Sequence, residues 1–188
     1  MSKSEKKRGR PPTFHREETI VRAMDCYWNE GPNGISINEL CRRIKTSKPA
    51  IYREFGGKDG LLCAVVENYM SHALQPLMQN FESDKNLHQQ LIDLVNSCTI
   101  NNDMPSGCLL VKMWVNHHHL GPKSRMALRK ARTVIHSMYL SLVLKAKDKE
   151  TIRLDIDSSL AAKFINTQIT TVLLHMDTEE TPEQICAE

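Results

Sequence analysis

Along most of the chain, apolar residues recur every three or four positions, the spacing that gathers them on one side of an α-helix. The first such stripe lies in residues 16–30 and ends where a glycine and a proline follow, both common at helix ends. Alternating Val, Ile and Thr residues, which would indicate strands, are scarce. The pattern therefore predicts an all-α protein. The stripe of the first helix contains Ile20, Ala23, Met24, Tyr27 and Trp28.

Two short helices are predicted next, joined by a tight turn. Residues 36–44 open with a capping box, in which Ser36 accepts the Glu39 amide and the Glu39 side chain reaches back. Residues 47–55 have Ser47 as their N-terminal cap and end at a pair of glycines. This pattern of paired short helices is typical of a helix-turn-helix unit.

Longer helices are predicted over the remainder, with proline, glycine and polar stretches between them. We divide the chain into a basic arm at 1–13, expected to be disordered without DNA, a helix-turn-helix domain at 14–57 and a helical body at 58–188. The predicted helices of the body span 58–77, 86–100, 107–118, 123–147 and 156–176.

Composition excludes several classes of protein. The 188 residues are 40% hydrophobic and 25% charged, as in ordinary soluble domains. No apolar run approaches the roughly 20 residues that a membrane span needs, and the charged N-terminus is unlike a secretory signal. Six cysteines without a Cys-x-x-Cys pair favour reduced thiols over a zinc ribbon or a disulfide framework. We therefore expect a cytoplasmic protein that uses no cofactor.

Charge is distributed unevenly between the two parts. Residues 1–60 contain 13 Lys or Arg against 8 Asp or Glu, whereas the rest contains 12 against 14. A basic front on a mildly acidic body indicates a polyanionic partner for the front. The second short helix would then enter the major groove of DNA while the first braces against the backbone.

The stretch from Leu40 to Leu62 resembles, without a gap, the TetR family of bacterial repressors. The first helix, with its aromatic pair before a glycine, also resembles the family's first helix, so the close resemblance covers about residues 14–66. The matching features of the longer stretch are Ser47, Ile51, Tyr52, Phe55, Lys58, Asp59, Leu61 and Leu62.

The resemblance implies roles for individual residues. Tyr52 and Lys58 match positions that usually hold phosphates, and Ser36 matches one that often touches the backbone. Arg53 has the geometry for a bidentate contact to guanine. The candidate DNA contacts outside the basic arm are Ser36, Ser47, Lys48, Pro49, Ala50, Tyr52, Arg53 and Lys58, while Leu40, Ile44, Ile51 and Phe55 should face inward.

Two departures from the family pattern leave the operator sequence open. Lys45 stands where the family commonly has glycine, which costs strain if the backbone there needs a positive φ. Glu54 would repel phosphates unless it pairs with Arg53 or reads cytosine.

The basic arm contains Arg8-Gly9-Arg10-Pro11, the core of an AT-hook, whose arginines lie along a narrow minor groove. The alternative is a basic tail attracted to phosphates without sequence preference. If the arm dominated binding, the protein would be an architectural DNA-binding protein instead of a regulator.

The resemblance further implies an effector cavity in the body, whose ligand moves the fourth helix. Cys108, near a predicted helix start, would have a lowered pKa and could make the protein an electrophile or redox sensor, with Cys98 as a resolving partner. The alternative is a small apolar residue packed at the helix start. Consecutive histidines at 117–119 do not suit metal ligation. The candidate pocket residues are Met104, Cys108, Met113, Trp114, His117 and Met138.

TetR-like proteins act as homodimers through their last two helices. The helix at 156–176 offers an apolar face for this, and Thr181-Pro182 would start another helix with less than two turns before Glu188. No set of nucleophile, base and orienting group is evident, so we expect no enzyme activity. The prediction is a homodimeric repressor on a palindromic operator, released by a small molecule. The candidate interface residues are Leu160, Phe164, Thr167 and Val172.

Overall fold

The computed structural model describes residues 14–75, 85–99, 105 and 107–176. Over this part of the chain the secondary structure is helical, without strands, which confirms the predicted fold class. The three N-terminal helices are α1 (Arg16–Gly34), α2 (Ile37–Arg43) and α3 (Lys48–Phe55). The body begins with α4 (Lys58–Tyr69), which continues into a π-helical turn, Met70–Leu74. It goes on through α5 (Leu87–Thr99), α6 (Leu109–Val115), α7 (Pro122–Asp148) and α8 (Ser158–His175).

The caps of α2 and α3 follow from local sequence, with the exception of one half of the capping box. Ser36 and Ser47 accept the amides of Glu39 and Ala50 at 3.2 and 3.3 Å, as predicted. The reciprocal half of the capping box is wrong, because the Glu39 carboxylate accepts hydrogen bonds from the guanidinium groups of Arg42 and Arg43. These bonds, first that of Arg42, lower the pKa of Glu39 to about 2.

The first helix is broken where the sequence predicts its end. Gly31 has φ 73° and ψ 167°, outside the helical region, and a further turn containing Pro32 follows before α2. A positive φ is accessible to glycine at little cost because it lacks a Cβ. The chain therefore turns toward α2 without leaving the core, and Gly31 and Pro32 are both buried.

One hydrophobic cluster joins the helix-turn-helix unit to the body. Buried side chains of α1 to α4 pack together with those of α6 and the first half of α7, including Leu109, Met113 and Leu128. A second cluster joins α5, α7 and α8 through Leu94 and Val143. The predicted domain boundary at residue 57 stays a prediction, since the first cluster lies on both sides of it.

The helices in the described ranges are too short or too polar to cross a bilayer. The predicted helix at 107–118 is shorter than expected, because α6 ends at Val115 and the three histidines form a 3₁₀ turn, His117–His119. The arm at 1–13 and the segment at 177–188 lie outside the described residues.

Candidate nucleic-acid interface

The helix-turn-helix is formed by α2, the turn at Lys45 and Thr46, and α3. Lys45 has φ 54°, so this turn does place a non-glycine residue in the left-handed conformation, with the strain that this involves. A side chain in that region costs about 1–2 kcal/mol. Lys45 is exposed, so its long side chain meets no steric conflict in the core and adds positive charge beside α3.

The inward face of the unit is the predicted one. Leu40 and Ile51 are fully buried, and Ile44 and Phe55 nearly so, which confirms all four predictions. Burying side chains of this size contributes about 1.5–3 kcal/mol each. This packing fixes the rotation of α3 about its own axis and therefore decides which side chains face solvent.

The outward face of α3 presents polar and cationic groups. Lys48, Pro49, Tyr52 and Arg53 are exposed, and Ala50 is half-buried. Tyr52 is 53% exposed although it is aromatic, and the Lys48 ammonium lies 6.0 Å from its ring centroid. An exposed tyrosine beside a lysine can donate its hydroxyl to a phosphate while the amine neutralises the charge.

Arg53 is partly restrained by its neighbour. Its Nε donates to Glu54 Oε1 at 2.8 Å, so Glu54 does pair with Arg53, one of the two ways in which it would avoid repelling phosphates. This bond uses only Nε, and the two terminal nitrogens of the guanidinium group remain for a base edge. The Arg53 side chain is 66% exposed, as a residue that enters a groove must be.

Lys58 is placed differently from the other candidates. Its ammonium donates to the carbonyl oxygens of Pro32 at 2.8 Å and Ile35 at 3.2 Å. Burial lowers the pKa of Lys58 from its ordinary value. The ammonium thus uses two of its three N–H donors between α1 and α2, and the phosphate contact of Lys58 stays a prediction.

The two capping serines are exposed at the N-termini of α2 and α3. Each hydroxyl oxygen accepts one amide, which leaves the hydroxyl hydrogen of Ser36 and of Ser47 available to donate to a phosphate. Their capping role is observed, and their DNA contacts stay predictions.

The described part of the chain begins beside α3. Phe14 packs edge-on against Phe55 with ring centroids 6.1 Å apart, and the Arg16 guanidinium lies 5.1 Å from the Phe55 centroid. These contacts hold the start of α1 at the end of α3. Arg8 and Arg10, the predicted minor-groove residues, lie outside the described residues.

A carboxylate that the sequence analysis left without a role connects α4 to α7. Asp59 accepts hydrogen bonds from the amides of Lys123 and Ser124 at 2.9 and 3.0 Å, and from the Ser124 hydroxyl at 2.5 Å. Partial burial raises the pKa of Asp59, but the bonds from Ser124 and Lys123 outweigh it and lower the pKa below its ordinary value. No local motif predicts this cap, because 64 residues separate the partners.

The candidate pocket residues are not all brought together. Cys108 and Met113 are buried in the first cluster, whereas Met138 packs against the second. Trp114 is 39% exposed, with the Arg132 guanidinium 4.6 Å from its ring and His117 stacked on it. Met104 lies outside the described residues. An effector pocket built from this set stays a prediction.

The predicted acidity of Cys108 is wrong. The thiol is buried at the N-cap position of α6 and accepts a hydrogen bond from the Tyr69 hydroxyl at 3.3 Å. Burial raises the pKa of Cys108, and this outweighs the lowering by the Tyr69 hydroxyl and the amides of Val111 and Leu110. A buried, protonated thiol is a poor nucleophile, so the structure does not favour a sensor at this residue. The side chain of Cys98 lies outside the described part.

The candidate interface residues lie on α8. Leu160 and Phe164 are 65% and 63% exposed, and Thr167 is exposed one turn further along. Val172 is half-buried and lies on another side of the helix. An exposed apolar stripe on a helix of this kind is typical of a protein–protein contact.

Comparison with known proteins agrees with this architecture. Residues 20–65 match the sequence model of the bacterial regulatory proteins of the tetR family. The transcriptional repressors ComR and BdcR of Escherichia coli K12 are 31% and 24% identical to the chain over 110 and 117 residues. These alignments cover 56% and 62% of this chain and 52% and 59% of the relatives, so the chain spans less than two thirds of their length.

Among solved structures, a cysteine variant of the TetR-family regulator CifR, complexed with a 26-bp operator DNA, superposes with a TM-score of 0.80. The two share 23% identity, and the match covers 95% of each chain, which shows a common fold. The match over α1 to α4 includes the turn, the exposed face of α3 and the start of α4 described above. Over residues 20–65 the chain is therefore similar to the bacterial regulatory proteins of the tetR family, and it shares the fold of the TetR-family regulator CifR.

Proposed function

We propose that the protein is a DNA-binding transcriptional repressor that acts in the cytoplasm and reads the major groove with α3. The observation that carries this is the outward face of α3, where Lys48, Tyr52 and Arg53 are exposed while Ile51 and Phe55 anchor the helix. A groove-reading helix needs this combination of a rigid buried side and a polar, cationic exposed side. The relatives named as repressors and the DNA-bound relative support the proposal.

We further propose that two copies bind a palindromic operator, with half-site centres about 34–36 Å apart or a multiple of that distance. The exposed stripe of α8, Leu160, Phe164 and Thr167, supports dimerisation. A single reading head buries too little surface for specific binding. A small-molecule effector in the helical body would release the DNA, and the core shared by α4, α6 and α7 would transmit its binding.

Two candidate functions receive less support. The buried thiol of Cys108 does not favour an electrophile sensor. An architectural role would depend on Arg8 and Arg10 alone, whereas α3 offers a reading surface of its own.

The function is tested with duplexes selected by the protein from a random library, each then changed at one base pair. Arg53→Ala is expected to cost about 1–3 kcal/mol at one base pair per half-site and little elsewhere. Tyr52→Ala should weaken binding to every duplex by a similar factor, because phosphates carry no sequence information. Fluorescence anisotropy measures both.

Arg153→Ala is the matched control, since Arg153 is also exposed and paired with a nearby carboxylate, that of Asp155, but lies between α7 and α8. It should bind like the wild type. Uniform losses for Arg53→Ala would make Arg53 a phosphate contact. Failure of the wild-type protein to select any duplex would contradict the proposed function itself.

A further inference from the structure

The N-terminus of α7 lies against the turn that ends α3. The Asp59 carboxylate, two residues after the turn at Gly56 and Gly57, holds the amides of Lys123 and Ser124. The approach is close, because a Cβ added to Gly121 would lie 2.2 Å from the Asp59 carboxyl carbon. This contact fixes where the backbone of Lys123 sits relative to α3.

The Lys123 side chain extends from that point toward the end of α3. Its ammonium lies 3.5 Å from the position that a Cβ on Gly56 would occupy, and Gly56 directly follows the last residue of α3. The Tyr52 ring lies against the next glycine, 3.3 Å from the corresponding Cβ position on Gly57. Lys123 and Tyr52 therefore flank the same turn, and both are exposed.

The positive charge available beside the turn at Gly56 and Gly57 is that of the Lys123 side chain. The amine of Lys58, which precedes Asp59, is bound to the carbonyls of Pro32 and Ile35. The amides at the start of α7 are occupied by Asp59, so they offer no anion site of their own. Asp59 is the acidic group beside Lys123, and both of its oxygens face α7 donors.

From this placement we propose that Lys123 binds a DNA phosphate beside the one held by Tyr52, so that the body of the protein contacts the operator directly. The inference rests on the proposed DNA-binding function. Lys123 supplies a cation beside Tyr52 in addition to the phosphate contacts that the family resemblance implies. A bond from Lys123 would extend the protein–DNA contact on each half-site beyond the helix-turn-helix. The position of Lys123 depends on the hydrogen bonds between Asp59 of α4 and the start of α7.

The test is the salt dependence of binding to a duplex selected by the wild-type protein. The logarithm of the affinity falls with the logarithm of salt concentration by about 0.9 per phosphate contact. Lys123→Ala should reduce this slope by about 1.8 for a dimer on two half-sites. The wild-type loss of affinity between 50 and 200 mM salt should then exceed that of the variant by a factor on the order of ten.

Two further variants isolate the charge. Lys123→Arg keeps a cation and should keep the wild-type slope. Lys145→Ala removes an exposed lysine from the same helix, about 33 Å further along at about 1.5 Å per residue, and should also keep it. In ethylation interference, modification of one phosphate per half-site should reduce binding of the wild type and leave binding of Lys123→Ala unchanged.

The outcomes separate the two proposals. If the wild-type protein selects no duplex, the proposed function fails irrespective of Lys123. If it binds and Lys123→Ala retains the full slope, the inference is overturned, whether or not affinity falls, because a structural role would lower affinity without changing the slope. Thermal unfolding of each variant confirms that the fold is intact.

Discussion

At the scale of single residues, the ammonium of Lys58 has a structural role, although lysine side chains are usually exposed to solvent. It donates to the carbonyl oxygens of Pro32 and Ile35, two buried residues that lie between the break in α1 and the start of α2. Buried carbonyls without partners are costly, so this amine stabilises the junction between α1 and α2. The same occupation separates Lys58 from the exposed cations around α3.

Replacing Lys58 tests that division of roles. Lys58→Ala is expected to lower the free energy of unfolding by about 1–3 kcal/mol, because two carbonyls lose their partner. Urea denaturation measures this loss. The salt slope of DNA binding should stay at its wild-type value, unlike that of Lys123→Ala.

Lys45→Ala is the comparison variant, since it removes an exposed lysine from the neighbouring turn. It should leave the free energy of unfolding within about 0.5 kcal/mol of the wild type. A lower salt slope for Lys58→Ala with unchanged stability would restore the phosphate contact that the family pattern implies.

At the scale of elements, the relation between α4 and α7 depends on a cap formed across the fold. Asp59 lies in the first turn of α4, and its carboxylate caps the first turn of α7. A carboxylate at a helix N-terminus is further stabilised by the helix dipole. Movement of α7 is thereby linked to the start of α4, which follows directly after α3.

The cap predicts a pH dependence. The pKa of Asp59 is lowered by folding, so its contribution is fully present above about pH 3.8, its ordinary pKa, and is lost as pH falls through the lower folded value. Asp59→Asn should cost about 1–2 kcal/mol at pH 7. Urea denaturation from pH 7 to pH 3 should show this difference shrinking below pH 3.8.

Gly121→Ala provides an independent check, because its Cβ would displace the Asp59 carboxylate without removing the charge. It should also lower stability at pH 7. A difference between Asp59→Asn and wild type that does not change with pH would contradict the cap.

At the scale of the whole molecule, packing among the described residues leaves an apolar stripe of α8 exposed. Ile165 and Ile169 of the same helix pack into the second cluster, whereas Leu160 and Phe164 are exposed. One helix with two apolar sides is expected where the second side meets another subunit.

Phe164→Glu tests the assembly. Placing a carboxylate in the centre of the stripe should convert the proposed dimer to a monomer, as measured by light scattering. Operator binding should weaken by at least tenfold, which corresponds to about 1.4 kcal/mol. Leu154→Glu is the control, because Leu154 is 64% exposed but lies in the loop between α7 and α8. A wild-type protein that is monomeric in solution would contradict the dimer.

Local sequence was sufficient for most of the helices, the caps at Ser36 and Ser47 and the inward face of α3. Each of these depends on neighbours within a few residues, where apolar spacing and backbone preference act directly. The family resemblance predicted the exposed residues of α3 correctly for the same reason. Their exposure follows from the rotation of one short helix about its axis.

Long-range packing decided the rest. The carbonyls that bind Lys58, the helix that Asp59 caps and the burial that raises the pKa of Cys108 all come from residues distant in sequence. Hydrogen bonding and desolvation depend on which groups come into contact in the folded chain, and local residue spacing does not determine these tertiary contacts. The position of Lys123 beside α3 belongs to this second kind, since 67 residues separate it from Gly56 along the chain.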